Sequence, residues 1–482
     1  MQIIHYICKV KKMFEKIVNT LNDIVWSPAL IILLIGAGIY FTIRTRCVQV
    51  RRIGLMVRLL FSRKETSEEV SGVSSFQAFC MALSGRVGTG NIVGVATAIA
   101  LGGPGAVFWM WVTAFFGAST AFMESTLAQK YKFPHHSGWR GGPACYIEKG
   151  LGIKWLAVLF AIMTVFGYGL LLPPVQVNGM SSAFNNSFGI PPIVTGIVVV
   201  ILIALVIVGG MSRIAHVASV ITPFMAIGYV LISFVVIAVN FRSIPAVFAS
   251  IFNGAFGVNP IFGGIVGSAI SMGVKRGLFS NEAGQGGGAI VSASAIVSNP
   301  AKQGLVQAFS VYIDTLLVCT ATALMILSSG TYNVFSQQTG EMIVCNSPDL
   351  ADNYVGFTQG AVDTVFHGFG STFVAIALAF FAFTTLMSYS FYSESSIMWL
   401  CRGRSMRFEK TVLAIYRLAL FGMMILGACF GSGTVWTLGD VGIGLTTWIN
   451  VAVLLILCPQ ALKTLSDFEM ELRDKKHTYI NN

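Results

Sequence analysis

An all-α polytopic membrane protein is the fold class this sequence predicts, and three observations predict it. Of 482 residues, 55% are hydrophobic and only 11% are charged, with a mean hydropathy of +0.75, whereas soluble domains are roughly 25% charged. Apolar stretches of about 20 residues, each able to cross a hydrocarbon core of about 30 Å, recur from Trp26 to Cys458. The cations fall in short loops between those stretches rather than along one face of a water-soluble domain, which makes them orientation signals and not a nucleic-acid surface.

About eleven spans are expected, at 26–43, 76–100, 104–128, 155–180, 191–210, 215–239, 260–297, 304–328, 370–399, 410–430 and 434–458. Residues 1–25, with Lys9, Lys11, Lys12 and Lys16 and no small-residue cleavage site, are expected as an amphipathic lead-in rather than a removable signal. Alternate loops collect the basic residues: Arg44, Arg46, Arg51, Arg52, Arg58, Arg63 and Lys64, then Lys130 to Lys154, then Arg213 and Lys302, then Arg402 to Lys410, with Lys463 to Lys476 in the tail 459–482. The other side carries Arg242 and acids such as Glu341, Asp349 and Asp352. The positive-inside rule then places the C-terminus in the cytoplasm and, against its own lysines, the N-terminus outside.

An internal repeat at an offset of 190 organises the chain. Arg86, Asn91 and Gly94 recur as Arg276, Asn281 and Gly284, and Glu124 recurs as Asp314. Eleven crossings make the two copies enter from opposite faces, a five-plus-five inverted repeat over 76–239 and 260–458, with 26–43 as one extra leading helix. The whole chain, 1–482, reads as a single transmembrane domain.

The chemistry is expected where apolar helices are interrupted. Gly88-Thr89-Gly90-Asn91 lowers helix propensity by about 1 kcal/mol at each glycine. An opened backbone at membrane depth must find partners for its N–H and C=O groups, and a zwitterion together with a cation supplies both. Gly90 and Gly94 also fit a GxxxG packing motif. The second interruption runs from Lys275 through Arg276, Asn281 and Glu282 to the glycines ending at Gly288; Arg276 and Glu282 are candidates for an ion pair or a gate, and Asn281 for lining the cavity by symmetry with Asn91. Arg86, Glu124 and Asp314 are expected to balance charge or to carry a proton or cation. Pro173 and Pro174 precede Gln176 and Asn178 on a kinked helix, with Gln176 preferred as a ligand contact, and Thr384, Thr385 and Ser388 offer hydroxyls to a hard cation. His135 and His136 share a loop with Trp139, His216 and His367 are isolated, and the nine cysteines show no zinc or disulfide spacing, so no transition-metal site is expected. No GxxxxGK[ST] motif is present, and no nucleophile and base stand at usable spacing; an enzyme is not expected.

The segments GTGN, GGPGAVFWMW (102–111), GGPACYIEKGLG (141–152) and GLFSNEAGQG (277–286) together resemble the alanine or glycine:cation symporter family of the amino acid, polyamine and organocation superfamily. The resemblance implies a leucine-transporter-like fold in a bacterial inner membrane. It also implies uptake of alanine and/or glycine with sodium, or with protons in some members, without cofactor or obligatory protein partner. A channel or an amino-acid sensor is the alternative from another class. By motif position it puts substrate contacts at Thr89, Gly90, Asn91, Gln176, Thr385 and Tyr389, with Asn281 added by symmetry. It puts sodium among Ser84, Val87, Gly88, Thr384 and Thr385. Tyr389, Ser388 and Arg86 depart from the family pattern, which favours tryptophan, glycine and a small or hydroxyl residue at those places.

Overall fold

The structure, a computed structural model, describes residues 2–62, 71–258, 263–337 and 339–480, with side chains described from 13 to 474 within those ranges. Arg63, Lys64, the side chains of Lys9, Lys11, Lys12, Lys475 and Lys476, and positions 260–262 of the seventh expected span lie outside the described residues.

The principal helices are α1 (Gln2–Val25), α2 (Pro28–Arg44), α3 (Ser75–Arg86), α4 (Val95–Gly102), α5 (Gly105–Lys130), α6 (Lys154–Phe166), α7 (Pro173–Phe188), α8 (Pro192–Ile207), α9 (Gly210–Val239), α10 (Val266–Asn281), α11 (Gly287–Ser292), α12 (Pro300–Val311), α13 (Thr320–Ser329), α14 (Tyr354–Asp363), α15 (Gly370–Leu400), α16 (Met406–Cys429) and α17 (Ser432–Ile480). Among the described residues, 8 helical stretches are long and apolar enough to cross a membrane. Two regions read from sequence as continuous spans are each two shorter helices: α3 and α4, and α10 and α11. α8, of 16 residues, falls just short of the same length.

The bundle is organised by where polarity can be satisfied. Large apolar side chains on α8, α9 and α16, among them Leu205, Phe224, Phe234 and Leu418, stand exposed, the surface that hydrocarbon would solvate. Buried polar residues instead crowd α3, α5, α10, α12 and α15. Lipid gives helices no hydrophobic reason to associate, so close backbone approach carries much of the packing. Gly273 and Gly277 on α10 let α5 approach so closely that a Cβ on Gly273 would stand 2.4 Å from the Ala106 carbonyl oxygen. α5 also packs along α12 and α2, making it the central post, while α7 packs between α15 and α16.

Two features differ from the sequence expectation. A two-stranded antiparallel hairpin, β1 (Asn333–Phe335) with β2 (Met342–Cys345), and α14 occupy the stretch between α13 and α15, so the all-α reading gains a small strand pair outside the bundle. α17 does not stop near Cys458: it is 49 residues long and runs to Ile480. Its far end is held by Glu469, which pairs with Arg51 at 2.8 Å and Arg52 at 3.1 Å. Its near end receives the Trp26 indole N–H on the Asp440 carbonyl at 2.8 Å. Of the cysteines read as buried hydrophobes, Cys80, Cys319 and Cys458 are buried and Cys429 is exposed.

Candidate functional site

The first interruption begins where α3 ends. A capping box opens α3: Ser74 Oγ accepts from Gln77 N–H at 3.1 Å, and Gln77 Oε1 accepts from Ser74 N–H at 3.0 Å. The helix ends at Arg86, Val87 leaves helical geometry with ψ 88°, and the chain re-enters through a π-helical turn, Gly90–Gly94, into α4. Asn91 turns its side chain back over the break. Its Oδ1 accepts from Gly88 N–H at 2.9 Å, and its Nδ2 donates to Asp314 Oδ1 at 2.7 Å. Gln176 on α7 comes from the other side, its Oε1 accepting from Thr89 N–H at 3.0 Å and from Thr89 Oγ1–H at 2.9 Å. Gly88, Thr89, Asn91, Gln176 and Asp314 are all buried.

An oxygen cluster lies beside this break. Thr385 Oγ1 donates toward the carbonyls of Ser84 at 2.8 Å and Val87 at 3.3 Å. Ser388 Oγ meets Ser84 Oγ at 2.6 Å and the Met81 carbonyl at 2.8 Å. Gly88 sits between α15 and α7, where a Cβ would stand 2.5 Å from Thr385 Oγ1 and 2.8 Å from Gln176 Oε1. Carbonyls and hydroxyls of this kind suit a hard cation. Thr384 is not part of the cluster: one residue along the helix turns it by about 100°, and its hydroxyl faces the Phe381 carbonyl at 3.1 Å and Met225 Sδ at 3.6 Å.

The second interruption is built differently. Glu282 at φ 55° ends α10 in the left-handed region, and Gly284 and Gly286 continue the turn at φ 92° and 97°. Asn281 closes this turn on itself, its Oδ1 accepting from Ala283 N–H at 3.0 Å; it is not gathered with Thr89 and Gln176. The expected Arg276–Glu282 ion pair is corrected: Arg276 pairs with Asp440 on α17 at 2.6 Å, with Lys275 at 3.6 Å from the same carboxylate, while Glu282 Oε2 accepts from the Tyr392 hydroxyl at 3.2 Å. Facing acids cross between the breaks. Asp314, in a π-helical turn after α12, bonds Asn91 of the first break and accepts from Ser280 Oγ beside the second at 2.7 Å. Glu124 accepts from Asn450 Nδ2 at 3.0 Å, and Asn450 Nδ2 also reaches the Gly284 carbonyl at 2.9 Å. Arg86 lies buried between the breaks, donating to the Gln307 carbonyl at 3.2 Å and to Ser310 Oγ, with its guanidinium against Gly288.

Two aromatic layers bracket the first break. On one side Tyr389 packs on Tyr168 (5.2 Å between centroids) and Tyr392 (6.0 Å), and Tyr168 donates to Gln285 Oε1 at 3.0 Å. On the other, Phe279 lies against Gly90 and on Trp436 (5.0 Å), with the Arg276 guanidinium over the Trp436 ring at 4.8 Å. Beyond this layer opens a vestibule of about 1220 Å³, lined by Lys275, Arg276, Trp436 and Asp440 and walled by Tyr354 and the hairpin residue Phe335. Asp440, Trp436, Phe279, Tyr168, Tyr392 and Asn450 were not singled out from sequence; an aspartate inside the apolar span 434–458 was the available signal for the first. Asn178, the less favoured amide, binds the carbonyls of Gly427 at 3.0 Å and Phe430 at 2.9 Å and joins α7 to α16.

Comparison with known proteins places the chain in a family. The Sodium:alanine symporter family profile matches residues 11–482. A putative sodium/proton-dependent alanine carrier protein of Bacillus subtilis (strain 168) is 50% identical over 94% of this chain and 92% of its own. A sodium/proton-dependent alanine carrier protein of Bacillus sp. (strain PS3) is 45% identical over 88% and 94%. A sodium/alanine symporter of Methanococcus maripaludis is 38% identical over 92% and 95%. Among solved structures, a manganese transporter of Eremococcus coleocola shares the fold with a TM-score of 0.51 at 14% identity, over 87% of this chain and 96% of that one. The broken, polar-cored helices and the full-length match carry one conclusion: the chain is a multi-pass membrane protein and transporter, not an enzyme, and belongs to the sodium:alanine symporter family.

Proposed function

We propose that this protein is a secondary active symporter that takes up alanine, glycine or a similarly small amino acid with sodium by alternating access. The observation that carries the reading is the buried convergence of Thr89, Asn91 and Gln176 with the oxygen cluster of Ser84, Val87 and Thr385. A substrate carboxylate would take the Thr89 donors that Gln176 Oε1 now accepts, at the start of the half-helix where backbone N–H groups lack intrahelical partners. Sodium would take the Ser84 and Val87 carbonyls with the Thr385 hydroxyl and the Gly88 backbone. Tyr389 would close the pocket around the side chain, which favours small substrates.

Topology completes the mechanism. Counting the two broken helices and α8 with the 8 longer stretches gives eleven crossings, a five-plus-five inverted repeat behind a leading helix. In the orientation favoured by the loop cations, within a bacterial inner membrane, the N-terminus and the vestibule face the periplasm and the C-terminus faces the cytoplasm. Phe279, Trp436 and the Arg276–Asp440 pair are then the outer gate, and Tyr168, Tyr389 and Tyr392 the inner one. One sodium per substrate supplies about 2.3 kcal/mol per 100 mV, and a tenfold ion gradient adds about 1.4. The sum of about 3.7 kcal/mol sustains about 500-fold accumulation.

Proton coupling is the second reading, favoured by the Asp314 carboxylate that joins Asn91 to Ser280 and by relatives named as sodium/proton-dependent carriers. Uptake of labelled alanine into proteoliposomes under a sodium gradient, a proton gradient or neither separates the two. Concentrative uptake requiring sodium is expected; uptake driven by protons alone would reassign the coupling ion, and none under any gradient would sink the proposal.

A further inference from the structure

The turn between α5 and the next short helix carries two histidines that lie outside the proposed transport site. Its base is closed by paired backbone bonds, Phe133 N–H to the Arg140 carbonyl at 2.8 Å and Arg140 N–H to the Phe133 carbonyl at 3.0 Å, and its tip by Gly138 N–H to the His135 carbonyl at 2.9 Å. His135 and His136 are thereby held facing the first turn of α16, where Ser405 caps the helix by accepting from Phe408 N–H at 3.3 Å. Glu409 in that turn presents both oxygens to them: Oε2 stands 3.3 Å from His135 Nε2, and Oε1 stands 3.8 Å from His136 Nε2. One ligand atom from each of the three residues lies within 4.8 Å of the other two.

These distances are close to those of a coordination sphere. Zinc bonds of about 2.0–2.2 Å in tetrahedral geometry put ligand atoms about 3.3–3.5 Å apart, which His135 and Glu409 Oε2 already meet; the three ligand atoms as a set lie within 4.8 Å of one another, so His136, which meets the other carboxylate oxygen at 3.8 Å, closes by about an ångström. His136 can make that adjustment, because its side chain is 47% exposed while those of His135 and Glu409 are each 11% exposed. The exposed flank also admits water as a fourth ligand. Two groups meet His135 Nδ1: Ser137 Oγ at 2.8 Å and the Ser137 backbone N–H, which donates to it at 3.3 Å; metal binding at Nε2 moves the ring proton to Nδ1, where Ser137 Oγ is the acceptor at hand. Ser137 Oγ is in turn fixed by Arg140 Nη2 at 3.1 Å.

We propose that His135, His136 and Glu409 form a binding site for a borderline first-row dication of the zinc class, which fastens the turn after α5 to the start of α16. Two imidazoles and one carboxylate are the donor set such ions take. The bridge joins positions 274 residues apart in the chain.

The test uses the purified full-length protein, stripped with chelator and titrated with zinc chloride, and separately with cobalt chloride, whose visible absorption reports tetrahedral coordination. Binding of one equivalent that raises Tm is expected, and His136→Ala and Glu409→Gln should each weaken it at least about tenfold. A variant counts only if its metal-free Tm matches that of the unaltered protein; should E409Q unfold, H136A decides alone. Absence of binding by the unaltered protein, or an unchanged Kd in a folded variant, overturns the proposal.

Discussion

The two interrupted helices, whose Asn91 and Asn281 stand 190 residues apart in the chain, solve the same problem in different ways. At the first, the backbone opened between Arg86 and Gly90 is partnered from other helices: Gln176 from α7, Thr385 from α15, and Asp314 through Asn91. At the second, the chain supplies more of its own partners, through the Asn281 cap and a left-handed turn at Glu282, Gly284 and Gly286, with Asn450 of α17 taking the Gly284 carbonyl. Borrowed partners can be exchanged for a ligand, whereas a turn that closes mostly on itself has less to exchange. The comparison teaches that glycines and polar residues in apolar surroundings mark where helices break, and that the neighbouring helices decide how each break is satisfied.

Four tests, using five substitutions, sharpen or break that contrast. The largest effect is expected from Asn91→Ala, which removes both the cover of Gly88 N–H and the link to Asp314: alanine uptake should fall at least about hundredfold, about 2.7 kcal/mol, with unchanged elution on size exclusion. Near wild-type uptake would remove the first break from the site. Next comes Gly88→Ala, whose added methyl meets Thr385 Oγ1 at 2.5 Å and should cost about tenfold or more in uptake, since overpacking typically costs about 1–3 kcal/mol. The third is paired. Thr385→Val should raise the sodium concentration for half-maximal uptake about tenfold, about 1.4 kcal/mol, while Thr384→Val should change it less than about twofold; equal effects would erase the distinction between the two hydroxyls. The smallest effect is expected at the self-closed break. Asn281→Ala should leave alanine affinity within about threefold and instead lower Tm, as loss of a cap worth about 1 kcal/mol does. A collapse of affinity with unchanged Tm would show the second break to be a binding place as well.

Much of this arrangement was legible because the membrane makes polarity conspicuous. Gly88-Thr89-Gly90-Asn91 and the run around Asn281 stand out in apolar surroundings, and both mark real interruptions. Arg276 was visible as a charge needing a partner, but its partner was not: Asp440 is 164 residues away, and Glu282 was the nearest acid in the chain. Neighbouring hydroxyls in sequence, Thr384 and Thr385, could not be told apart without the rotation of α15. The histidine pair was visible and its third member was not, since Glu409 belongs to an ordinary charged helix start. The hairpin between α13 and α15 was missed because strands of 3 and 4 residues carry too little alternation to register.

One feature of the fold joins these observations. α17 carries Trp436 and Asp440 at the vestibule, Asn450 between Glu124 and the second break, and Glu469 against Arg51 and Arg52. At 1.5 Å per residue, Asp440 and Glu469 are about 44 Å apart along one helix, with its interior Pro459 between Asn450 and Glu469. Our hypothesis is that this helix moves as a seesaw with its fulcrum at Asn450. Spin-label distances from its two ends to α5 should then change in opposite senses when substrate is added, and parallel changes would rule the idea out. On that account the two faces of the carrier need no signal passed between them, because lifting one end of a lever lowers the other.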